Sequence, residues 1–252
     1  MHLWLKANKL SLNLEKTKVL PLGMPYKIAN FWNSNYKLNY LGKEVELVSE
    51  ARYLGVLLDS ALSFKSHSEE VINKANRNIG IINAIRPFIP VHYKFALIDS
   101  LVISIFSYCI NIYSVSNKSC LNKLSTTYKR AVKSAYNFPI LMPTNEVFKI
   151  SKWLSFERFI EYKTLLFMFK IRNGMTVGFE EWFVPRGQIH GKNTRSSCKY
   201  DIIWSNTSLA SHRFSIIGPQ EWNKLPEEIQ MVNSIGSFKQ KVKGYLKLKE
   251  GD

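Results

Sequence analysis

The chain has 252 residues, 46% of them hydrophobic, with 35 Lys and Arg against 19 Asp and Glu, for a net charge of +16. This apolar content supports a packed core and excludes a disordered chain, while the positive excess marks a protein that meets a polyanion. Cys109, Cys120 and Cys198 show no CxxC or Cys/His ligand spacing, which excludes a disulfide framework and a zinc site and points to a reducing, intracellular setting.

In chain order, MHLWLKANKLSLNLEKTKVLPLG reads as the end of a helix through Ala7, a turn over Asn8 to Asn13, and a strand from about Thr17 to Leu22 stopped by Pro21 and Gly23. No apolar run precedes a small-residue cleavage site, so the segment is not a secretory signal, and the expected location is the nucleus or cytoplasm. Residues 35–59 give short strand candidates, YKLNY, EVELV and RYLGVLLD, separated by LGK and SEA as in a meander. Within ARYLGVLLD, residues 51–59, the apolar pattern suits one strand with Gly55 in its middle. Such a glycine marks either a β-bulge or a place where another backbone or a ligand comes close.

After Asp59 the apolar period becomes helical. A first long helix is expected from about Ser66 to Arg86, with Val71, Ala75, Ile79, Ile82 and Ile85 as its stripe and Pro87 as its stop. A second is expected from about Val91 to Ser114. It includes the 13-residue run LVISIFSYCINIY at 101–113, short of the ~18 apolar residues that a membrane span needs. A third, from about Leu121 to Tyr136, turns Leu124, Tyr128, Val132 and Ala135 inward and Lys129, Arg130 and Lys133 outward. A helical pair follows at Thr144 to Ile150 and Phe156 to Arg172, closed by Asn173-Gly174. Residues 175–215 read as irregular and basic, WNKLPEEI as a turn with Trp222, Leu225 and Pro226 as packing residues, and Ser237 to Leu248 as a last amphipathic helix.

The charge is uneven: +3 over residues 1–64, +7 over 65–150 and +6 over 151–252. Lys65, Lys74 and Arg77 on the first helix and Lys129, Arg130 and Lys133 on the third are candidates for phosphate contact, with a solvated charged face as the other reading. Arg186, His190, Lys192 and Arg195 lie in FVPRGQIHGKNTRSSCKY, whose interleaved aromatics suit single strands or irregular RNA. An ordered loop with a carboxylate-bonded arginine reads equally well. Histidines without HExxH spacing, the lack of a GxSxG setting and the lack of a phosphate-binding glycine loop leave no other catalytic constellation.

The ordered set NKLSLNLEKTK, YLGVLLDSALSFKSHSEEVINKANRNIG, KLSTTYKRAVKSAY, FKIRNG, HGKNTR and SIIGPQEWNKLPEEI, with a closing SFKQKVKGYL, resembles the carboxy-terminal part of the reverse transcriptase of non-LTR retrotransposons of the jockey-like and CR1-like kind. The resemblance covers nearly the whole chain. It implies an α+β, mostly α-helical fold: a small antiparallel β palm remnant with a primer-grip-like hairpin at 1–64, a helical thumb at 65–140 and a helical, irregular and basic region at 141–252. Tyr53, Leu54 and Gly55 would then touch the primer end. Lys16 would be the motif lysine near the incoming nucleotide's phosphates, where the alternative is an exposed strand-edge lysine.

The family's chemistry uses two divalent metals held by carboxylates, one set from a paired Asp, and no Asp-Asp pair occurs here. The resemblance therefore implies that magnesium belongs to an upstream palm segment and that this chain alone does not polymerise. Its partners would be RNA or an RNA/DNA hybrid and upstream polymerase segments, with no membrane. The alternative reading is a decayed or co-opted helical protein-interaction module.

Overall fold

The computed structural model describes residues 2–34, 36–179, 182–190, 199–202 and 213–250, the side chains of His2 and His190 excepted. With 59% helix against 9% strand, the fold is α+β and mostly helical. The chain divides into two compact units, residues 1–69 and 70–252.

The first unit begins with helix α1 (His2–Ala7), followed by β1 (Lys18–Val19) and α2 (Pro25–Asn33). Helix α2, which periodicity did not suggest, starts on Pro25, whose fixed φ and missing N–H suit a first helical position. Strands β2 (Leu38–Tyr40) and β3 (Lys43–Leu47) pair antiparallel, and β1 adds a short parallel pairing to β3, Lys18 opposite Glu46. Strands β4 (Glu50–Tyr53) and β5 (Val56–Asp59) form a second antiparallel pair, with Tyr53 opposite Val56.

ARYLGVLLD is therefore not one strand with a glycine inside it. Leu54 and Gly55 are the two-residue loop of a tight hairpin, at φ 45° and 83°. The β2–β3 loop repeats the device: Leu41 and Gly42 have φ 51° and 78°, again after a tyrosine. Positive φ at both central residues is the loop geometry that matches the twist of paired strands, and glycine serves the second position without strain. Tyr-Leu-Gly thus occurs twice as a hairpin tip, a repetition visible in the sequence and more informative than the period of either strand.

Strand β5 stops at Asp59 because that carboxylate builds the next turn. One oxygen accepts from the Ala61 and Ser63 N–H groups (3.1 and 3.0 Å), and the other accepts from the Ser63 hydroxyl (3.1 Å) and the Phe64 N–H (2.8 Å). Helix α3 (Lys65–Ile85) starts immediately afterwards. In this unit the fully buried apolar side chains are Val45, Val56 and Phe64, whereas Leu3, Trp4, Leu10, Tyr26 and Tyr36 are at least half exposed.

The second unit holds most of the core. Val71, Ala75, Ile79 and Ile82 of α3 are buried, and Ile85 is exposed where the helix gives way to a 3-10 turn, Arg86–Phe88, around Pro87. The single helix expected over 91–114 is instead α4 (Val91–Ile98), a π-helical turn (Asp99–Ile103), α5 (Ser104–Ser107) and α6 (Ile110–Tyr113). No Pro or Gly causes the break. The Ser100 hydroxyl donates to the Ala96 carbonyl (2.8 Å) and Ser104 to that of Ser100, back-bonds that bend helices, and Cys109 takes a left-handed φ of 52°. The Tyr113 hydroxyl donates to the Phe106 carbonyl at 2.6 Å across the break.

Helix α7 (Lys118–Tyr136) is N-capped by Asn117, whose side chain accepts from the Cys120 N–H at 2.9 Å, and closed by left-handed Asn137. Helices α8 (Thr144–Ile150) and α9 (Phe156–Arg172) fall where periodicity places them, and Gly174 at φ 62° follows α9. Then come α10 (Arg186–His190), α11 (Phe214–Asn223), α12 (Glu227–Gln230) and α13 (Ile235–Leu248). A Gly-Pro pair is ordinarily a turn signal, and Gly218-Pro219 is one that sequence reading leaves unassigned. It lies inside α11 because the helix packs closely on α9: a Cβ on Gly218 would stand 2.7 Å from the Met168 sulfur. Trp222 and Leu225 are buried as expected, while Pro226 is exposed.

Two stability outcomes are expected. Leu54→Asn, which places a residue tolerant of positive φ at an exposed tip, raises the stability of the first unit, while Gly55→Ala lowers it by about 1 kcal/mol. Tyr128→Phe is neutral or stabilising by up to about 1 kcal/mol, because the buried hydroxyl has no hydrogen-bond partner among the described residues, whereas Tyr128→Ala costs about 3–5 kcal/mol. Denaturant titration of the variants checks both.

Candidate nucleic-acid interface

Helix α7 has two chemically opposite faces. Leu124, Tyr128, Val132 and Ala135 are buried, and at 100° per residue this sets Lys129, Arg130 and Lys133 on the other side. Those three cations do not extend freely into solvent. The Lys129 ammonium donates to the Thr144 hydroxyl at 2.9 Å, and the Arg130 guanidinium donates to the Asn76 side-chain oxygen of α3 at 3.2 Å. The Lys133 ammonium donates to the carbonyls of Ile140 and Met142, at 2.8 Å for the latter. Burial, with the field of Lys129 added, lowers the Lys133 pKa from its ordinary value.

These contacts shape an open groove of about 930 Å³ between α3, α7 and the loop that precedes α8. Arg86, Lys129, Arg130 and Lys133 line it together with Asn83, Thr126, Ser134 and Thr144, and Ile140 and Leu141 form an apolar lip that is 90% and 93% exposed. A second hollow of about 650 Å³ continues along α3 and α7 past Asn76, Ser119, Asn122 and Lys123, and shares Thr126 and Arg130 with the first. Among the described residues no carboxylate lines either hollow. Cations, amides and hydroxyls without acidic residues make a surface chemically suited to phosphate oxygens. The sequence carried a signal for this that pattern reading passed over: residues 100–145 contain no Asp or Glu, and Arg86 precedes them.

The other expected contact residues are dispersed. Lys65 and Arg77 are exposed on α3, and Lys74 pairs with Glu70 one turn away at 2.6 Å, so one of the three cations expected to contact phosphate on that helix is neutralised locally. Tyr53 and Leu54 are 66% and 73% exposed at the β4–β5 tip, with the Gly55 carbonyl accepting from the Arg52 guanidinium at 3.2 Å. Lys16 is exposed, in a turn ahead of β1 and not on a strand; its N–H donates to Asn13. Arg186 is an internal tie: it pairs with Asp201 at 2.6 Å beside the Pro185–Tyr200 bridge. The His190 side chain, Lys192 and Arg195 lie outside the described residues.

Among the described residues there is no group of three or more His, Cys, Asp or Glu side chains placed to hold a metal, and no helix is long and apolar enough to cross a membrane. Comparison with protein families, with curated proteins and with solved structures gives no match for this chain.

Removing the Lys133 ammonium should free the loop and not merely subtract a charge. In Lys133→Met, hydrogen exchange at residues 140–142 is expected to rise, with a loss of about 1–3 kcal/mol from two carbonyls left without a charged donor. Lys129→Met, which gives up a single hydroxyl contact, is expected to leave exchange there nearly unchanged.

Proposed function

We propose that the chain binds single-stranded RNA or an RNA/DNA hybrid through its phosphates, as the thumb-bearing part of a retroelement reverse transcriptase of the non-LTR kind. On this reading residues 1–64 hold the palm remnant with its hairpin, residues 65–140 the thumb and residues 141–252 the basic region that follows it. The observation that carries the binding role is the carboxylate-free groove on α3 and α7, lined by Arg86, Lys129, Arg130 and Lys133. The role is binding and positioning; the metal-dependent chemistry of such a polymerase is assigned to upstream palm segments.

The groove suits a strand for electrostatic reasons. Four cations around one hollow repel one another, and a phosphate chain relieves that repulsion while releasing its own counterions. The exposed Ile140 and Leu141 side chains give the bases an apolar surface beside the phosphate track. A second reading, a helical protein-interaction module, draws on the first unit, where Leu3, Trp4 and Leu10 are exposed.

A salt series separates the two. The purified chain is titrated with single-stranded RNA and with a short RNA/DNA hybrid at increasing salt, beside a Lys129→Gln, Arg130→Gln variant. Phosphate binding gives a linear fall of log affinity with log salt, with a slope shallower in the variant by about 0.7–0.9 for each contact removed. Affinity indifferent to salt and to both substitutions would reject the nucleic-acid reading and favour the interaction module.

A further inference from the structure

A second basic surface lies away from the groove, on α9 and α13, where sequence reading nominated nothing. The two helices pack through stacked rings, Phe169 on Phe238 at 4.3 Å, with Trp222 on the other side of Phe238 at 5.6 Å. Lys163 and Lys170 lie two turns apart on α9 and Lys239 and Lys243 one turn apart on α13, the two helices that form that seam, with Lys239 and Lys170 close enough for their fields to act on Lys163. Lys163 is half-buried, with its ammonium 5.3 Å from the centre of the Phe159 ring. Burial lowers its pKa from the ordinary lysine value, and the fields of Lys239 and Lys170 lower it further.

None of these four lysines has a carboxylate partner among the described residues, and the reason is visible on every helix packed against α9 and α13. Helices α6, α7 and α13 contain no Asp or Glu. On α9 itself Glu161 pairs with Arg158 at 2.7 Å and Glu157 accepts from the Ser125 hydroxyl. On α11 Glu221 pairs with Lys224 at 2.7 Å. Glu250 accepts from the Ser155 N–H, and Glu227 and Glu228 sit in the first turn of α12, where the helix dipole is favourable to them. Lys247, next in the α13 row, is held by the carbonyls of Phe148 and Trp153.

We infer that Lys163, Lys170, Lys239 and Lys243 form a second anion site, separate from the α3–α7 groove, that takes phosphate groups carried in series. A single small anion would neutralise one or two of the ammonium groups, whereas linked phosphates meet all four and remove the mutual repulsion that the fold leaves uncompensated. Lys163 is the anchor, since its aromatic contact and partial burial restrict its ammonium before any ligand arrives.

The test uses the full chain carrying Lys129→Gln and Arg130→Gln, so that the groove is weakened throughout. It is titrated with tripolyphosphate, a six-residue oligouridylate and sulfate, while the side-chain methylene NMR signals of Lys163 and Lys239 are followed. Shifts with tripolyphosphate identify a free phosphate chain as ligand, and shifts with oligouridylate alone identify a nucleic-acid backbone; both support the site. Adding Lys163→Gln and Lys239→Gln, with unchanged circular dichroism as the folding control, is expected to weaken binding about tenfold. Unmoved signals with both phosphate probes, equal shifts with sulfate (an adventitious ion only), or unaltered affinity in the quadruple variant would each overturn the inference.

Discussion

The second unit is organised around the Tyr128 ring. It is fully buried at the middle of α7 and meets four phenylalanines: Phe106 edge-on at 5.4 Å, Phe148 stacked at 6.3 Å, Phe156 at 5.5 Å and Phe159 at 5.3 Å. These come from α5, α8 and α9, so one residue sets the rotation of α7 against three other helices. Aromatic pairs of this kind add about 0.5–1.5 kcal/mol each beyond the area they bury. Once the ring is fixed, helical geometry leaves Lys129, Arg130 and Lys133 one direction in which to point. The basic groove is a consequence of the core and not of charge patterning.

The same helix shows how closely spaced cations are tolerated. Each of the three is hydrogen-bonded to a neutral oxygen, and none to a carboxylate among the described residues. Neutral acceptors lower the self-energy of an ammonium without cancelling its outward field, whereas an ion pair cancels both. Lys74, paired with Glu70, and Arg186, paired with Asp201, illustrate the second arrangement and contribute little field. Formal charge counted along the chain therefore overstates the field at α3 and at Arg186 relative to α9 with α13, where Lys163 and its neighbours lack acidic partners among the described residues.

What was legible in the sequence follows from how far each signal reaches. The buried stripe of α3, the two faces of α7 and the extents of α8 and α9 depend on local periodicity and capping, and they were readable. Several features, helix α2 among them, were not. The break within 91–114 comes from serine back-bonds and a left-handed Cys109, neither of which has a hydrophobic period. Helix α11 contains a Gly-Pro pair that local rules read as a turn, and its packing against Met168 overrides them. The anchoring of Lys133 depends on two carbonyls 7 and 9 residues away, a contact that no side-chain pattern encodes. The β4–β5 hairpin is a different kind of miss: its signal was present twice, as Tyr40-Leu41-Gly42 and Tyr53-Leu54-Gly55, but a leucine at a position that favours Asn or Asp disguised the loop as strand.

That repetition bears on how the hairpin tips are to be read. A tip whose leucine is 70% exposed at 41 and 73% exposed at 54 carries, in both copies, a side chain held at a φ that branched residues rarely adopt. The glycine in each is explained fully by the loop, so close approach of a nucleic-acid backbone is not needed to account for Gly55. If the 53–55 tip does meet a primer, the informative residues are Tyr53 and Leu54, whose exposure the hairpin itself does not require, and the 40–42 tip of the same composition is its internal control. Function at that tip is then a property of two exposed side chains on a rigid turn, and the glycine beneath them is there to let the chain reverse.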